Sequence, residues 1–168
     1  LGHRHSVDLD WFTPKRFAKP KALASRFRGA GIPFKIDRTA WGTLDGKIEG
    51  VAVTFLEYKF PMLNPMVEWE EFGVSLPSLE DLACMKLLAL TKRGARRDFY
   101  DIYFLVQHGI SIPDMLRMYK KKFSLEDTDV VVNSLKYFVD AERNPMPSLL
   151  KRVPWTTVKS AMIRWVQE

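Results

Sequence analysis

A change of pattern at Pro77-Ser78-Leu79-Glu80-Asp81 divides this chain into β-patterned runs before it and helical patterning after it. Upstream, Phe34 to Arg38 alternates apolar and polar residues, Ile48 to Phe55 is rich in β-branched residues, and Asp45-Gly46 reads as a hairpin turn. A further short strand, Met66 to Glu70, follows the loop Pro61 to Pro65. Lys15 to Arg28 reads as a basic helix in which Pro20 marks a kink or the true start, with Gly29 and Gly31 as stop signals. Downstream, Ser78 is placed to cap a helix, with Asp81 at the capping-box position. Leu79 to Lys92, Arg96 to Gln107, Ile112 to Lys122, Thr128 to Ala141 and Thr156 to Val166 are successive apolar-periodic segments. Strands first and helices second predict an α+β chain. The expected division is a mixed β-sheet lobe over 1–76 and an α-helical lobe over 77–168, with a cleft between them.

A length of 168 residues and a 46% hydrophobic share are enough to bury a real core and exclude general disorder. No apolar run approaches a membrane span, and no basic-then-apolar leader is visible, so a cytoplasmic protein without membrane association is expected. The single cysteine, Cys84, lies in an apolar helical pattern and reads as a core residue, which suits a reducing compartment. The formal charge of +6 and pI near 9.5 fit an anionic partner such as RNA or a nucleotide. The basic clusters Lys15-Arg16, Lys19 to Lys21, Arg26 to Arg28, Lys92 to Arg97 and Lys120 to Lys122 are spread along the chain, and each alone reads as a solvated face.

The segment Gly2-His3-Arg4-His5-Ser6-Val7-Asp8-Leu9-Asp10-Trp11-Phe12 concentrates polar chemistry. On a β-strand, Ser6, Asp8 and Asp10 share one face, and Val7, Leu9 and Trp11 the other. Carboxylates two apart on a strand can hold Mg²⁺ at the phosphates of a nucleotide. The same pair also fits the exposed face of an ordinary amphipathic strand.

A second constellation follows the pattern change. Lys86 falls within the apolar stripe formed by Leu79, Leu82, Ala83, Ala89 and Leu90. Its stem either snorkels to the surface, or its ammonium faces a phosphate or carboxylate. Just downstream, Arg93-Gly94-Ala95-Arg96-Arg97-Asp98-Phe99-Tyr100-Asp101 opens a hydrophobic helix. Arg97 and Asp101, four apart, can pair on one helix face, and Asp98 lies where the helix dipole favours an acid. Structural roles account for much of this cluster, yet Lys86, Arg93, Arg97 and the acids supply more polar groups than a helix corner needs.

Taken together, Gly2-His3-Arg4 with Ser6, Asp8 and Asp10, then Ser78 to Lys86, then Arg93 to Leu105, resemble the AbiEii-type nucleotidyltransferases, a family that includes toxins of toxin–antitoxin and phage-defence systems. The resemblance runs to about Phe123. It implies a nucleotidyltransferase fold, in which a mixed sheet presents metal-binding carboxylates and a helical domain follows. By this likeness Asp8 and Asp10 hold Mg²⁺ and are catalytic together with Lys86. Ser6, or His3 and Arg4, flank the phosphates. Lys86 contacts the nucleotide, while Arg93, Arg97, Asp98 and Asp101 form a nucleotide-facing or supporting cluster. The implied reaction moves a nucleotidyl group from a nucleoside triphosphate to a hydroxyl, with RNA such as tRNA as an acceptor and an antitoxin as a protein partner.

Two departures from the family pattern support a catalytically degenerate nucleotide or RNA binder as the alternative. A Gly-Gly-Ser or Gly-Gly-Thr phosphate cradle is expected ahead of the His-Arg segment, and residues 1–168 contain none. Thr54 stands where the family often has a third acid, and it cannot act as a base. Glu57 and Asp37 are weak substitutes. A third option, a protein-neutralising interaction module, rests on the aromatic, basic segment Trp155 to Trp165, whose plainer reading is a helix docked on the core.

Overall fold

Alternating apolar residues between Ser6 and Phe60 build a four-stranded sheet with one helix across it. The elements are β1 (Asp8–Thr13), α1 (Pro20–Gly29), β2 (Phe34–Ala40), β3 (Thr43–Ile48) and β4 (Val51–Glu57). Their order across the sheet is β1-β4-β3-β2, with β1 parallel to β4 and the other pairs antiparallel. This is the expected mixed sheet. The computed structural model describes all 168 residues and divides them into two units, Ser6–Phe60 and Leu1–His5 together with Pro61–Glu168.

In the sheet unit, Ala24 of α1 packs with Phe34, Leu44 and Val53, and Phe17, Leu23, Phe27 and Phe55 close around them. Pro20 is the first residue of α1, so Lys15 to Lys19 precede the helix. Its ring presets a helical φ at a position whose N–H would have no helical acceptor. Ser6 and Val7 lie outside β1, so the opening strand is shorter than the sequence suggests.

Asp45-Gly46 is not a turn; it lies inside β3, and the reversals fall at Trp41-Gly42 and Glu49-Gly50. Both Glu49 (φ 50°) and Gly50 (φ 86°) adopt positive φ, as a tight hairpin turn requires. Gly46 instead admits a neighbour: a Cβ there would stand 2.4 Å from the Lys35 carbonyl oxygen and 2.5 Å from Phe34 Cζ. The carbonyl is backbone and cannot step aside. Gly46→Ala is therefore expected to destabilise the sheet unit by about 1–3 kcal/mol, the usual penalty of overpacking. Thermal unfolding followed by near-ultraviolet dichroism checks this, and an unchanged midpoint would contradict the close approach.

The second unit begins with the hairpin β5 (Val67–Trp69) and β6 (Val74–Leu76), joined by a 3₁₀ turn at Glu70–Phe72. Six helices follow: α2 (Leu79–Arg93), α3 (Arg96–Gln107), α4 (Ile112–Phe123), α5 (Asp129–Lys136), α6 (Val139–Arg143) and α7 (Trp155–Trp165). The Ser78 hydroxyl accepts from the Asp81 amide, and Ser111 caps α4 by the same contact with Asp114. The segment Thr128 to Ala141 is two helices rather than one, because the chain breaks at Tyr137-Phe138. That break turns the Phe138 ring toward Phe99 and Trp155. The α7 segment docks on the core through Val158 and Met162, both fully buried. Tyr100 closes the same region by donating to the Val153 carbonyl at 2.9 Å. No helix is long and apolar enough to cross a membrane.

Leu87, Leu90, Phe99, Ile102, Leu105, Met115 and Leu135 form the centre of the helical core, with Cys84 among them. Burial pushes the Cys84 thiol up to about 12, in keeping with a core role. The Lys120 to Lys122 cluster is not wholly a solvated face, since Lys122 is 1% exposed. Its ammonium lies 2.6 Å from Asp81 Oδ1 and donates to the Pro61 carbonyl at 2.7 Å. Asp81 also accepts the Leu63 and Asn64 amides and the Ser78 hydroxyl. A capping-box acid thus doubles as the centre of a buried polar knot that fixes the loop Pro61 to Asn64 against α2 and α4.

The first five residues belong to the helical unit. His5 donates its amide to the Ser148 carbonyl, Leu150 and Lys151 donate to the His3 carbonyl, and Arg4 bridges to Leu149. Backbone pairing at these positions fixes His3 and Arg4 before the chain enters the sheet unit.

Candidate functional site

Strand alternation places Asp8 and Asp10 on one face of β1, while Leu9 and Trp11 align with Val53 and Phe55 on the α1 side. Ser6 approaches the same acid from outside the strand, donating to the Asp8 carbonyl at 3.0 Å and to Asp8 Oδ1 at 3.2 Å. In register, Asp10 stands beside Thr54, Thr54 beside Asp45, and Asp45 beside Arg38. This puts Asp10, Thr54, Asp45 and Arg38 in one lateral row on the face away from α1. Asp45 accepts from Arg38 Nε at 2.7 Å. Sequence reasoning missed Asp45 because Asp-Gly was assigned to a turn; the register alone reveals it.

The other acids considered as substitutes serve elsewhere. Glu57 accepts the Phe17 amide at 3.0 Å and pairs with Lys59 at 3.1 Å. The Phe17 amide and the Lys59 ammonium hold its carboxyl below the usual range. Asp37 occupies the β-bulge between Ile36 and Arg38.

Asp8 and Asp10 supply hard oxygen donors from neighbouring positions of one strand face. No three His, Cys, Asp or Glu side chains gather as a metal site. A carboxylate pair without a third ligand fits Mg²⁺, which commonly takes one or two protein carboxylates and completes its shell with phosphate and water oxygens.

In the helical unit, Asp101 of α3 gathers three of the residues singled out by sequence. Its Oδ1 accepts from His3 Nε2 at 2.8 Å and Arg4 Nε at 2.7 Å, and its Oδ2 accepts from Arg4 Nη2 at 2.9 Å. Lys86 Nζ lies 2.6 Å from Oδ2. The two-point contact with Arg4 is the bidentate geometry that favours arginine over lysine. Burial pushes the Asp101 carboxyl up, but hydrogen bonds from Arg4 and His3 and the charge of Lys86 outweigh it and hold the group well below the carboxylate range. Arg4 and Lys86 carry one positive charge each and Asp101 one negative, so these three side chains sum to +1.

The Lys86 ammonium faces a carboxylate, which is one of the two alternatives its position in the apolar stripe allowed. Asp101 pairs with Lys86, Arg4 and His3 rather than with Arg97; the cations arriving from α2 and from residues 3 and 4 displace the expected pair four apart on α3. The His3 ring is buried and stacks on Phe104 with centroids 4.6 Å apart, and its Nδ1 has no hydrogen-bond partner.

Asp98 is fully buried in the first turn of α3, and Arg93 Nε and Nη2 grip its two oxygens at 2.8 and 2.7 Å. Gly94 between the helices takes φ 55°, the left-handed conformation that closes α2. Lys86 and Arg93 of α2 therefore each hold one acid of α3, Asp101 and Asp98 respectively. Arg97 lies half-buried in the first turn of α3.

A mixed sheet with paired aspartates on its first strand, and a separate helical unit after it, defines an α+β, nucleotidyltransferase-like fold. The profile of the family "Nucleotidyl transferase AbiEii toxin, Type IV TA system" matches residues 15–165, and the chain belongs to that family. The matched span contains Lys86, Arg93, Asp98 and Asp101 and begins beyond Asp8 and Asp10. The chain is also 31% identical over 173 aligned residues to the uncharacterized protein aq_aa25 of Aquifex aeolicus (strain VF5), an alignment covering 99% of this chain and 81% of that relative. Membership makes this a nucleotidyltransferase toxin of a toxin–antitoxin system.

Proposed function

We propose that the protein transfers a nucleotidyl group from a nucleoside triphosphate to a hydroxyl of RNA, tRNA being the favoured kind of acceptor. The single observation that carries this reading is the Asp8/Asp10 pair on one face of β1. In the reaction, the acceptor oxygen bonds to the α-phosphorus as the bond from that phosphorus to the β-phosphate bridge breaks. Pyrophosphate leaves with the electron pair, and the hydroxyl proton is lost to solvent. Mg²⁺ held by Asp8 and Asp10 would neutralise charge on the phosphates. Ser6, hydrogen-bonded to Asp8, orients that carboxylate.

Lys86 is assigned to the nucleotide phosphates and is the catalytic cation. Asp101 positions it, together with His3 and Arg4. Arg97 is assigned to the nucleotide, and the Arg93–Asp98 clamp supports the helix corner from which it projects. The protein acts in the cytoplasm and is countered by a cognate antitoxin. Purified protein incubated with each α-labelled nucleoside triphosphate, Mg²⁺ and total RNA is expected to label RNA with at least one nucleotide; absence of label with all of them sinks the proposal.

The second reading is a nucleotide or RNA binder without turnover. It is favoured by one observation: Thr54 is the register neighbour of Asp10, and the next acid across the face, Asp45, is paired with Arg38. It predicts a rise in melting temperature with nucleotide and Mg²⁺ and no transfer product.

A further inference from the structure

One aromatic side chain in the sheet unit stands apart from every core. Trp41, at the β2–β3 turn, is 68% exposed, and the Arg16 guanidinium lies 5.1 Å from its ring centroid. Beside it opens a groove of about 600 Å³, lined by Ala18, Lys19, Pro20 and Lys21 on one side and by Thr39 and Trp41 on the other. From Lys15 to Ile36 the chain has Lys15, Arg16, Lys19, Lys21, Arg26, Arg28 and Lys35 and no acid. Arg38–Asp45 and Lys59–Glu57 are ion pairs within the sheet unit, and neither Lys19 nor Lys21 takes part in one.

An exposed tryptophan with one face backed by arginine, next to two uncompensated lysines, offers stacking and phosphate neutralisation together. That combination is suited to a single strand, whose bases are unstacked and whose backbone is a polyanion. A folded acidic protein surface would use the charge and leave the ring unoccupied. A duplex keeps its bases stacked inside and would do the same. Register places the groove and the paired aspartates on different faces: Thr39 of the groove aligns with Leu44 on the α1 side, whereas Asp45 and Asp10 lie on the opposite face.

We propose that Trp41, Arg16, Lys19 and Lys21 form a platform for single-stranded RNA, with a base stacked on the free face of Trp41 and phosphates on the two lysines. This rests on the nucleotidyl-transfer reading only for its role in presenting an acceptor; the binding itself is independent of catalysis.

The test measures anisotropy of a fluorescein-labelled 12-nucleotide single-stranded RNA, without nucleoside triphosphate, for the wild-type chain, Trp41→Ala, Trp41→Phe and Lys19→Gln/Lys21→Gln. Trp41→Ala is expected to weaken binding about tenfold or more, and Trp41→Phe, which keeps a stacking ring, to stay within about threefold of wild type. The double glutamine variant is expected to lower the slope of log affinity against log salt by about 1.4, the share of two phosphate contacts on a single strand. Unchanged affinity in Trp41→Ala overturns the platform, as does equal affinity for a duplex or for polyglutamate of matched charge. Wild-type RNA labelling is assayed in parallel. Binding through Trp41 without labelling sinks catalysis alone, whereas labelling with wild-type affinity in Trp41→Ala sinks the platform alone.

Discussion

Lys122→Ala is expected to lower the stability of the helical unit by about 3–5 kcal/mol, the usual cost of removing one partner from a buried ion pair. That is a large part of the 5–15 kcal/mol typical of a domain. The loss arises because Asp81 would remain fully buried with its charge while keeping only neutral donors, the Leu63 and Asn64 amides and the Ser78 hydroxyl. Asp81→Ala is the mirror case, leaving the Lys122 ammonium to the Pro61 carbonyl and the Met62 sulfur. Replacing both, Asp81→Leu with Lys122→Met, is expected to recover most of either single loss, since a well-packed apolar pair needs no compensation. Urea titration of the three variants measures the effect, and a single-variant loss below about 1 kcal/mol would show that water reaches the pair.

The same knot fixes the sign of the acid response. Burial pushes the Asp81 carboxyl up, but the Lys122 ammonium, the Leu63 and Asn64 amides and the Ser78 hydroxyl bring it below its ordinary value. Asp101 is shifted in the same direction. A carboxylate with a depressed folded value contributes stability that is complete above the unfolded value and is lost as pH falls toward the folded one. The helical unit is therefore expected to hold a constant stability from neutral pH down to about 5 and to weaken below about 4. Urea midpoints at several pH values follow this, and Lys122→Ala should flatten the acid limb.

Asp10→Ala is expected to reduce nucleotidyl transfer by about 10²–10⁴-fold, since a metal's stabilisation of transition-state charge amounts to several kcal/mol and each 1.4 kcal/mol is tenfold. Asp10 is exposed on an edge strand, so even with its polar interactions the fold is expected to lose no more than about 1 kcal/mol. The separation of these two effects is the point of the experiment. Initial rates at saturating and limiting Mg²⁺, read beside a thermal melt, distinguish a lost metal ligand from a lost fold. Asp8→Ala should behave alike, with Ser6→Ala milder because Ser6 hydrogen-bonds the Asp8 carboxylate and is not itself a proposed metal ligand. Activity within fivefold of wild type in both aspartate variants would remove the carboxylate pair from the mechanism.

Residue patterning revealed the order of sheet and helices because periods of 2 and 3.6 are local properties. Arg96 to Gln107 reads as helix from its spacing alone and is helix in the structure. The reversal at Trp41-Gly42 was hidden by Asp45-Gly46, whose glycine answers to the Phe34 ring rather than to a turn. Burial of Lys122 was equally hidden, because three consecutive lysines look solvated unless their acid, 41 residues away, is known. The Asp8/Asp10 face follows from alternation, whereas Asp45 joins its row only through strand register. The displacement of Arg97 from Asp101 depends on His3 and Arg4, 98 and 97 residues distant from that acid, and no local spacing encodes it.

The chain leaves the helical unit after His5 and returns to it at Pro61, so the whole four-stranded sheet is an insertion within the sequence of the helical unit. A fragment starting at Pro61 would contain α2 to α7 and still lack His3 and Arg4, two of the three side chains that hold Asp101. A cut at the change of pattern, before Ser78, would remove those two side chains and also the Leu63 and Asn64 amides and the Pro61 carbonyl that meet Asp81 and Lys122. The polypeptide holding Asp101 in place is discontinuous, Leu1–His5 and Pro61–Glu168 being parts of one compact unit.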